Sequence, residues 1–113
     1  MTQPDPGSTG LATRDEFAGL KVLSVELVAD GRGGALVTLE RAPQRDGPDR
    51  WAIRRGGNAL GRDGEFEYEP LPSSRTEKFY RKYRFATVEE ALKVWRKHLR
   101  LFPGDYSAYQ VAG

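Results

Sequence analysis

The chain has 113 residues, no cysteine and a formal net charge of +2 at pH 7. This length suits one domain with a core of its own and is too short for two. The contents of 38% hydrophobic and 30% charged residues are typical of a globular domain, and no apolar run is long enough to span a membrane. Without cysteine, disulfides and thiolate metal ligands are excluded. We therefore expect a cytoplasmic protein that does not bind a membrane.

The first twenty residues carry little sign of regular structure. Residues 1–10 consist of proline, glycine and polar or small residues with no apolar anchor after the initiator, which predicts a disordered tail. They also lack the basic and apolar segments of a signal peptide. Residues 11–20 are interpreted as a short helical turn or an irregular lead-in. A single domain is therefore predicted over residues 11–113.

A β-hairpin is predicted next. Residues 21–29 and 35–41 both alternate between apolar and polar side chains, which is typical of half-buried strands. Between them, residues 30–34 provide the glycines that a hairpin turn needs. The side chains expected to face the core are Leu23, Val25, Leu27, Val37 and Leu39.

Two further strands are predicted over residues 50–55 and 65–69. In the second, aromatic residues alternate with three glutamates, which are expected to face solvent. Residues 56–64 are interpreted as a connection of turn residues, because glycine adopts positive backbone angles at little cost. A meander of four antiparallel strands is the simplest topology for this order. Trp51 and Ile53 are expected to face inward, and Phe66 and Tyr68 are expected to share the face opposite the glutamates.

Residues 73–84 allow two interpretations. Ser74 and Glu77 have the spacing of a capping box, which predicts a short helix over residues 75–80. Residues 81–85 alternate as a strand does, and in the other interpretation they form a fifth strand. The favoured order is a short helix, then a short strand, then the main helix.

The clearest element is a helix over residues 87–100. Thr87 and Glu90 form a capping box at its start, and the basic residues near its end suit the helix dipole. Because an isolated helix of this length is marginal in water, its apolar stripe is expected to pack on the sheet. The stripe consists of Val88, Ala91, Leu92, Trp95 and Leu99.

The predicted fold class is therefore α+β, a four- to five-stranded antiparallel meander sheet with one long C-terminal helix packed on a face. After Pro103 the chain carries further apolar area, which is expected to fold back over the core. The residues that provide this area are Tyr106, Tyr109 and Val111.

Three runs stand out together: Trp-Ala-Ile-Arg-Arg-Gly-Gly at 51–57, Gly-Glu-Phe-Glu-Tyr-Glu-Pro-Leu-Pro-Ser-Ser-Arg at 64–75, and Arg-Phe-Ala-Thr-Val-Glu-Glu-Ala at 84–91. They resemble a group of small, uncharacterised proteins from bacteria and their phages over residues 51–92, and this resemblance implies no activity. More loosely, a sheet followed by Phe-x-Thr-x-Glu-Glu-Ala and a helix is similar in outline to WGR and AP2-type nucleic-acid-binding domains. Residues 54–56 lack the Trp-Gly-Arg signature of the WGR group.

Basic residues are concentrated in the C-terminal half. Between residues 73 and 102, nine basic residues stand against three acidic ones, a net charge of +6, whereas the rest of the chain carries −4. Such a surface attracts a nucleic-acid backbone or an acidic protein. A protein that docks on an acidic partner in this way is expected to include phage or host regulators. Tyr80 and Tyr83 lie among these residues as candidate stacking surfaces. The candidate partner-binding residues are Lys78, Arg81, Lys82, Arg84, Lys93, Arg96, Lys97 and Arg100.

The sequence offers few groups for catalysis. His98 is the only histidine and is interpreted as a partly packed residue of the helix rather than a general base. The glycine-rich segment 56–64 has neither the P-loop nor the dinucleotide-binding spacing, so no cofactor is predicted. The glutamates of residues 65–69 have no loop that would complete a metal site. A non-enzymatic binding module is the prediction.

Overall fold

The computed structural model describes residues 23–44 and 47–112, so the tail predicted at residues 1–10 and the lead-in predicted at residues 11–20 lie outside the described residues. Within them the chain forms one antiparallel sheet of six strands, two α-helices and one 3-10 turn, Pro72–Ser74. The α+β class is confirmed, with one or two strands more than predicted. The strands are β1 Ser24–Ala29, β2 Ala35–Ala42, β3 Arg50–Arg55, β4 Asn58–Leu60, β5 Phe66–Tyr68 and β6 Gln110–Val111, and the helices are α1 Glu77–Tyr83 and α2 Val88–Leu101.

The sheet order is β5-β4-β3-β2-β1-β6, so the first five strands form the predicted meander. The expectation that residues 56–64 only connect two strands is wrong. Gly56, with φ of 60°, and Gly57 turn the chain within two residues, so that Arg55 pairs with Asn58 and β4 begins at once. At the opposite edge, the tail folds back and β6 pairs with β1. Of the three residues predicted to cover the core, Tyr106 is buried, whereas Tyr109 and Val111 are exposed.

Strand β1 contains a shift of register that its alternating pattern does not indicate. It lies between Glu26 and Val28 in the pairing with β2, and a second shift follows between Val28 and Ala29. As a result Leu27 and Val28 are both buried. Leu23, predicted to face the core, lies before the first residue of β1 and is 62% exposed. A bulge turns the following side chains over, because strand side chains otherwise alternate strictly between faces.

Helix α2 packs across one face of the sheet, as predicted. The Thr87 side chain accepts a hydrogen bond from the Glu90 amide at 3.1 Å and so caps the helix. Trp95 is fully buried in the core between α2 and the sheet. Leu92 and Leu99 are only partly buried, and His98 is buried in their place. The buried stripe is displaced toward His98 because Tyr106 of the returning tail packs on that side.

Helix α1 packs on the opposite face of the sheet. Its N-cap is Thr76, which accepts from the Phe79 amide at 3.2 Å, and not the predicted Ser74. Phe79 and Tyr83 pack with Ala59 of β4. The helix runs on to Tyr83, so the strand predicted at 81–85 is reduced to one bridge between Phe85 and Trp51. Neither helix in the described part of the chain is long and apolar enough to cross a membrane.

Candidate anion-binding surface and groove

Six of the eight predicted partner-binding residues are exposed on the two helices. Among the described residues none of the six forms a salt bridge with an acidic side chain, since the ion pairs here involve other basic residues. Their charge is therefore not neutralised within this part of the fold. We call these six residues the basic helix surface: Lys78, Arg81, Lys93, Arg96, Lys97 and Arg100.

The other two predicted residues are bound to carboxylates of the fold. Lys82 binds Asp63 at 3.2 Å and Glu67 at 2.9 Å, and these hydrogen bonds, Glu67's first, raise the pKa of the lysine. Arg84 is 2% exposed and its Nη2 atom lies 2.8 Å from Glu69. The assignment of Arg84 to a partner surface is wrong, because its guanidinium cannot reach a partner. Tyr83 is also buried, which removes it as a stacking surface.

Arg62 joins the basic positions of the two helices. Its Nε donates to the carbonyl of Arg81 at 2.6 Å, and its Nη1 pairs with Glu90 of α2. Lys97 in turn donates to the carbonyl of Arg62 at 3.4 Å. The sequence had no signal for this role, because Arg62 lies in a segment interpreted only as a turn. Through Arg62, the carbonyl of Arg81 on α1 and the side chain of Lys97 on α2 are brought to one edge of the molecule.

Glu69 is the centre of a buried cluster of arginines. Its carboxylate lies 2.8 Å from Arg84, 3.1 Å from Arg75 and 3.2 Å from Arg54. Burial opposes its ionisation most strongly, but the charges and hydrogen bonds of the three arginines together outweigh burial and hold the pKa of Glu69 below its usual value. The prediction that the glutamates of this segment face solvent is therefore wrong for Glu69. Its side chain is only 11% exposed.

Beside this cluster, α1 and the ends of β2 and β3 enclose a groove. It consists of four cavities of about 150, 400, 600 and 660 Å³, and Tyr80 lines each of them. Within the described residues, Asp49 and Glu77 are the acidic residues in its walls. We call it the arginine groove, because seven arginines line it: Arg41, Arg50, Arg54, Arg62, Arg75, Arg81 and Arg84.

His98 is a packed residue, as interpreted, but it is wholly buried rather than partly so. Its Nδ1 lies 2.7 Å from the Gly64 carbonyl and its Nε2 lies 2.7 Å from the Tyr106 hydroxyl. A carbonyl only accepts, so Nδ1 carries the proton and Nε2 accepts from the Tyr106 hydroxyl. That hydroxyl accepts in turn from Arg55 at 2.7 Å. The chain of hydrogen bonds is complete only while His98 is neutral.

Stability is therefore expected to fall as His98 becomes protonated. Burial is the largest effect on the pKa of His98 and lowers it from 6.5; the hydrogen bond to the Gly64 carbonyl opposes this lowering, the charge of Arg55 adds to it, and Asp105 opposes it. The unfolded chain then binds the proton first, so this contribution is complete above pH 6.5 and is lost as the pH falls below it. Thermal unfolding at about pH 7.5 and about pH 5.5, one value on each side of the ordinary histidine pKa, measures this loss of stability. The His98→Gln variant, less stable at the higher pH, should show a smaller difference between the two conditions; equal differences would contradict this role.

Comparison with protein-family models, with curated proteins and with solved structures gives no match to this chain. The resemblance of residues 51–92 to small bacterial and phage proteins stays a prediction.

Proposed function

We propose that this protein is a non-enzymatic binding module whose basic helix surface contacts the phosphate backbone of nucleic acid. The observation that carries the proposal is the division of the basic residues into two groups. Lys82 and Arg84 are neutralised by carboxylates of the fold, whereas the six residues of the basic helix surface are exposed with no acidic partner among the described residues. Uncompensated, exposed cations bind phosphates by releasing the counterions of the nucleic acid.

Binding through this surface is expected to depend on charge more than on base sequence. The residues are lysines and arginines spread over two helices, and the chain has no motif for reading base edges. If all six contact phosphates of double-stranded DNA, the logarithm of the binding constant should fall with the logarithm of salt concentration with a slope of about −5. A strong salt dependence is therefore the first signature of this function.

An acidic protein surface is the second candidate partner. Leu101 is 51% exposed directly beside Arg100, and Tyr68 and Leu71 are exposed at 73% and 69%. Protein interfaces combine apolar and aromatic side chains with arginine, whereas phosphate backbones do not need the apolar ones. The exposed end of α2 is therefore compatible with a protein partner of negative charge.

Replacing Arg96, Lys97 and Arg100 together by glutamine should weaken binding to nucleic acid of mixed sequence and leave the fold intact. Each lost phosphate contact should reduce the salt slope by about 1, because one fewer counterion is released. The measurement is a salt titration of binding to single-stranded and double-stranded nucleic acid, with light scattering recorded on the same samples. Arg32→Gln is a control, because it removes an exposed arginine that lies in the β1–β2 turn and not on a helix.

Two results would contradict the proposal. A triple variant that no longer folds, by circular dichroism, would show that these cations are structural. An absence of binding by the wild type even at low salt would leave the acidic protein partner, and a pull-down from host extract would then be the next experiment.

A further inference from the structure

The arginine groove has features of a built site that the basic helix surface lacks. Its cavity of about 400 Å³ is lined by Arg50, Arg75 and Tyr80, together with Gln44, Ser73 and Pro72. These side chains come from both sides of the groove, from the β2 and β3 ends and from the segment that leads into α1. A concave site of this size suits a small molecule or one nucleotide unit.

Three hydrogen-bond donors in this cavity have no acceptor among the described residues. Arg75 donates through Nε to the Pro70 carbonyl and through Nη2 to Glu69, which leaves its Nη1 group unused. Among the described residues, Arg50 forms no ion pair and the Tyr80 hydroxyl makes no hydrogen bond. Two guanidinium groups and a hydroxyl therefore share one cavity, and each has a hydrogen-bond donor without an acceptor. The oxygen atoms of a phosphate group accept hydrogen bonds from such donors.

The cluster behind the cavity supplies positive charge and holds Arg75 in place. The single carboxylate of Glu69 is shared by Arg54, Arg75 and Arg84, and Arg54 has a second partner in Glu40 at 3.3 Å. Two carboxylates thus face three guanidinium groups, which leaves an excess positive charge in a poorly hydrated place. Arg75 is further fixed by its bond to Pro70 of 2.9 Å. Binding an anion there requires little new ordering of side chains.

Tyr80 supplies an aromatic surface next to these donors. Its ring meets Phe79 edge to face, with ring centroids 5.4 Å apart, which restricts its orientation. It also lines the neighbouring cavities of about 600 and 660 Å³, so there is space beside the phosphate position for a ring system. Stacking of a base on tyrosine is a common contact that tolerates any base.

We propose that the arginine groove binds the phosphate monoester of a nucleotide, with the phosphate on Arg50 and Arg75 and the base against Tyr80. The ligand chemistry is the same for a free mononucleotide and for the 5′-phosphorylated end of a strand. The three contact residues of this site lie outside the basic helix surface, although Arg81 of that surface lines another cavity of the groove. The site therefore does not depend on the proposed function.

The test is calorimetric titration of the full chain with AMP, adenosine and inorganic phosphate. AMP should bind most tightly, because it alone provides both the phosphate and the ring. Arg50→Gln should weaken AMP binding about 10- to 100-fold, the usual effect of losing a charge-assisted hydrogen bond, and it breaks no ion pair among the described residues. Tyr80→Leu should weaken AMP but not inorganic phosphate. Glu77→Gln, which removes an acidic residue from the cavity wall, should tighten both.

The matched control is Arg96→Gln on α2, which removes an equal charge outside the groove and should leave AMP binding unchanged. Oligonucleotides with and without a 5′-phosphate distinguish a strand end from a free nucleotide as the ligand. A preference for the phosphorylated oligonucleotide that is lost in Arg50→Gln supports a strand end. Binding of AMP alone that depends on Arg50 supports a free nucleotide. Three results would overturn the proposal. They are equal binding of AMP and adenosine, AMP binding unaffected by Arg50→Gln, and tighter binding of a phosphoserine peptide than of any nucleotide.

Discussion

Replacing Trp95 with alanine is expected to lower the free energy of unfolding by about 3–5 kcal/mol, the usual cost of removing a large buried aromatic side chain. Trp95 is completely buried between α2 and the sheet, and its ring packs against His98 with centroids 5.4 Å apart. Its indole N–H also donates to the carbonyl of Ala112 at 2.8 Å, which ties the returning tail to the helix. Since a domain of this size is stable by only about 5–15 kcal/mol, the variant should be largely unfolded under mild denaturing conditions.

Urea denaturation followed by circular dichroism measures this effect. Trp95→Phe keeps most of the apolar volume and loses the hydrogen bond to Ala112, so it should fall between the wild type and the alanine variant. Tyr68→Ala is the control, because Tyr68 is 73% exposed and its loss should change stability by less than about 0.5 kcal/mol. A Trp95→Ala variant with the same midpoint as Tyr68→Ala would show that Trp95 is not part of the core.

Local signals in the sequence were sufficient for helix α2 and for the first hairpin. The start of α2 depends on a cap made by Thr87 with an amide three residues away, and such short-range chemistry is visible in the sequence. The β1–β2 turn likewise depends on glycines with positive φ, Gly31 and Gly33. The same reasoning misplaced the start of α1, because both Ser74 and Thr76 are good caps and only the 3-10 turn at Pro72–Ser74 decides between them.

Contacts between distant segments could not be predicted in this way. The alternation of residues 65–69 shows which side chains share a face, but not that Glu69 is covered by arginines from β3, from residue 75 and from the end of α1. The burial of His98 depends similarly on Tyr106, which comes back from the tail. Tyr80 was recognised as a candidate stacking residue, but the groove around it is formed by segments from residue 41 to residue 86.

The structure also divides the arginines of this chain into two groups with different roles. Some arginines stabilise the fold: Arg84 is buried, and Arg54 and Arg84 are bound to carboxylates. Arg50 and the basic helix surface have no such partners among the described residues. A count of basic residues therefore overstates the surface available to a polyanion, and the distinction between the two groups is visible only in three dimensions. Substitutions in the first group should reduce stability, whereas substitutions in the second should reduce binding.

Glu69→Ala, which removes the carboxylate that the arginines of the first group share, is expected to lower the free energy of unfolding by about 3–5 kcal/mol. Removing one partner of a buried ion pair leaves the other charge unpaired in a poorly hydrated place. Here three guanidinium groups lose their shared carboxylate, and Arg84 is only 1% exposed at its side chain. The lowered pKa of Glu69 adds a pH signature: its contribution to stability is complete above the ordinary glutamate value of 4.5 and is lost as the pH falls below it.

Glu67→Ala is the matched control, because Glu67 lies two residues away on the same face of the chain. Its partner Lys82 is exposed, as is Glu67, so its loss should cost less than about 1 kcal/mol. Adding Arg84→Met to Glu69→Ala should recover part of the lost stability, since the most buried unpaired charge is then replaced by an apolar side chain. Denaturation midpoints that are equal for Glu67→Ala and Glu69→Ala, or a double variant less stable than Glu69→Ala alone, would contradict the view that charge burial around Glu69 dominates this side of the fold.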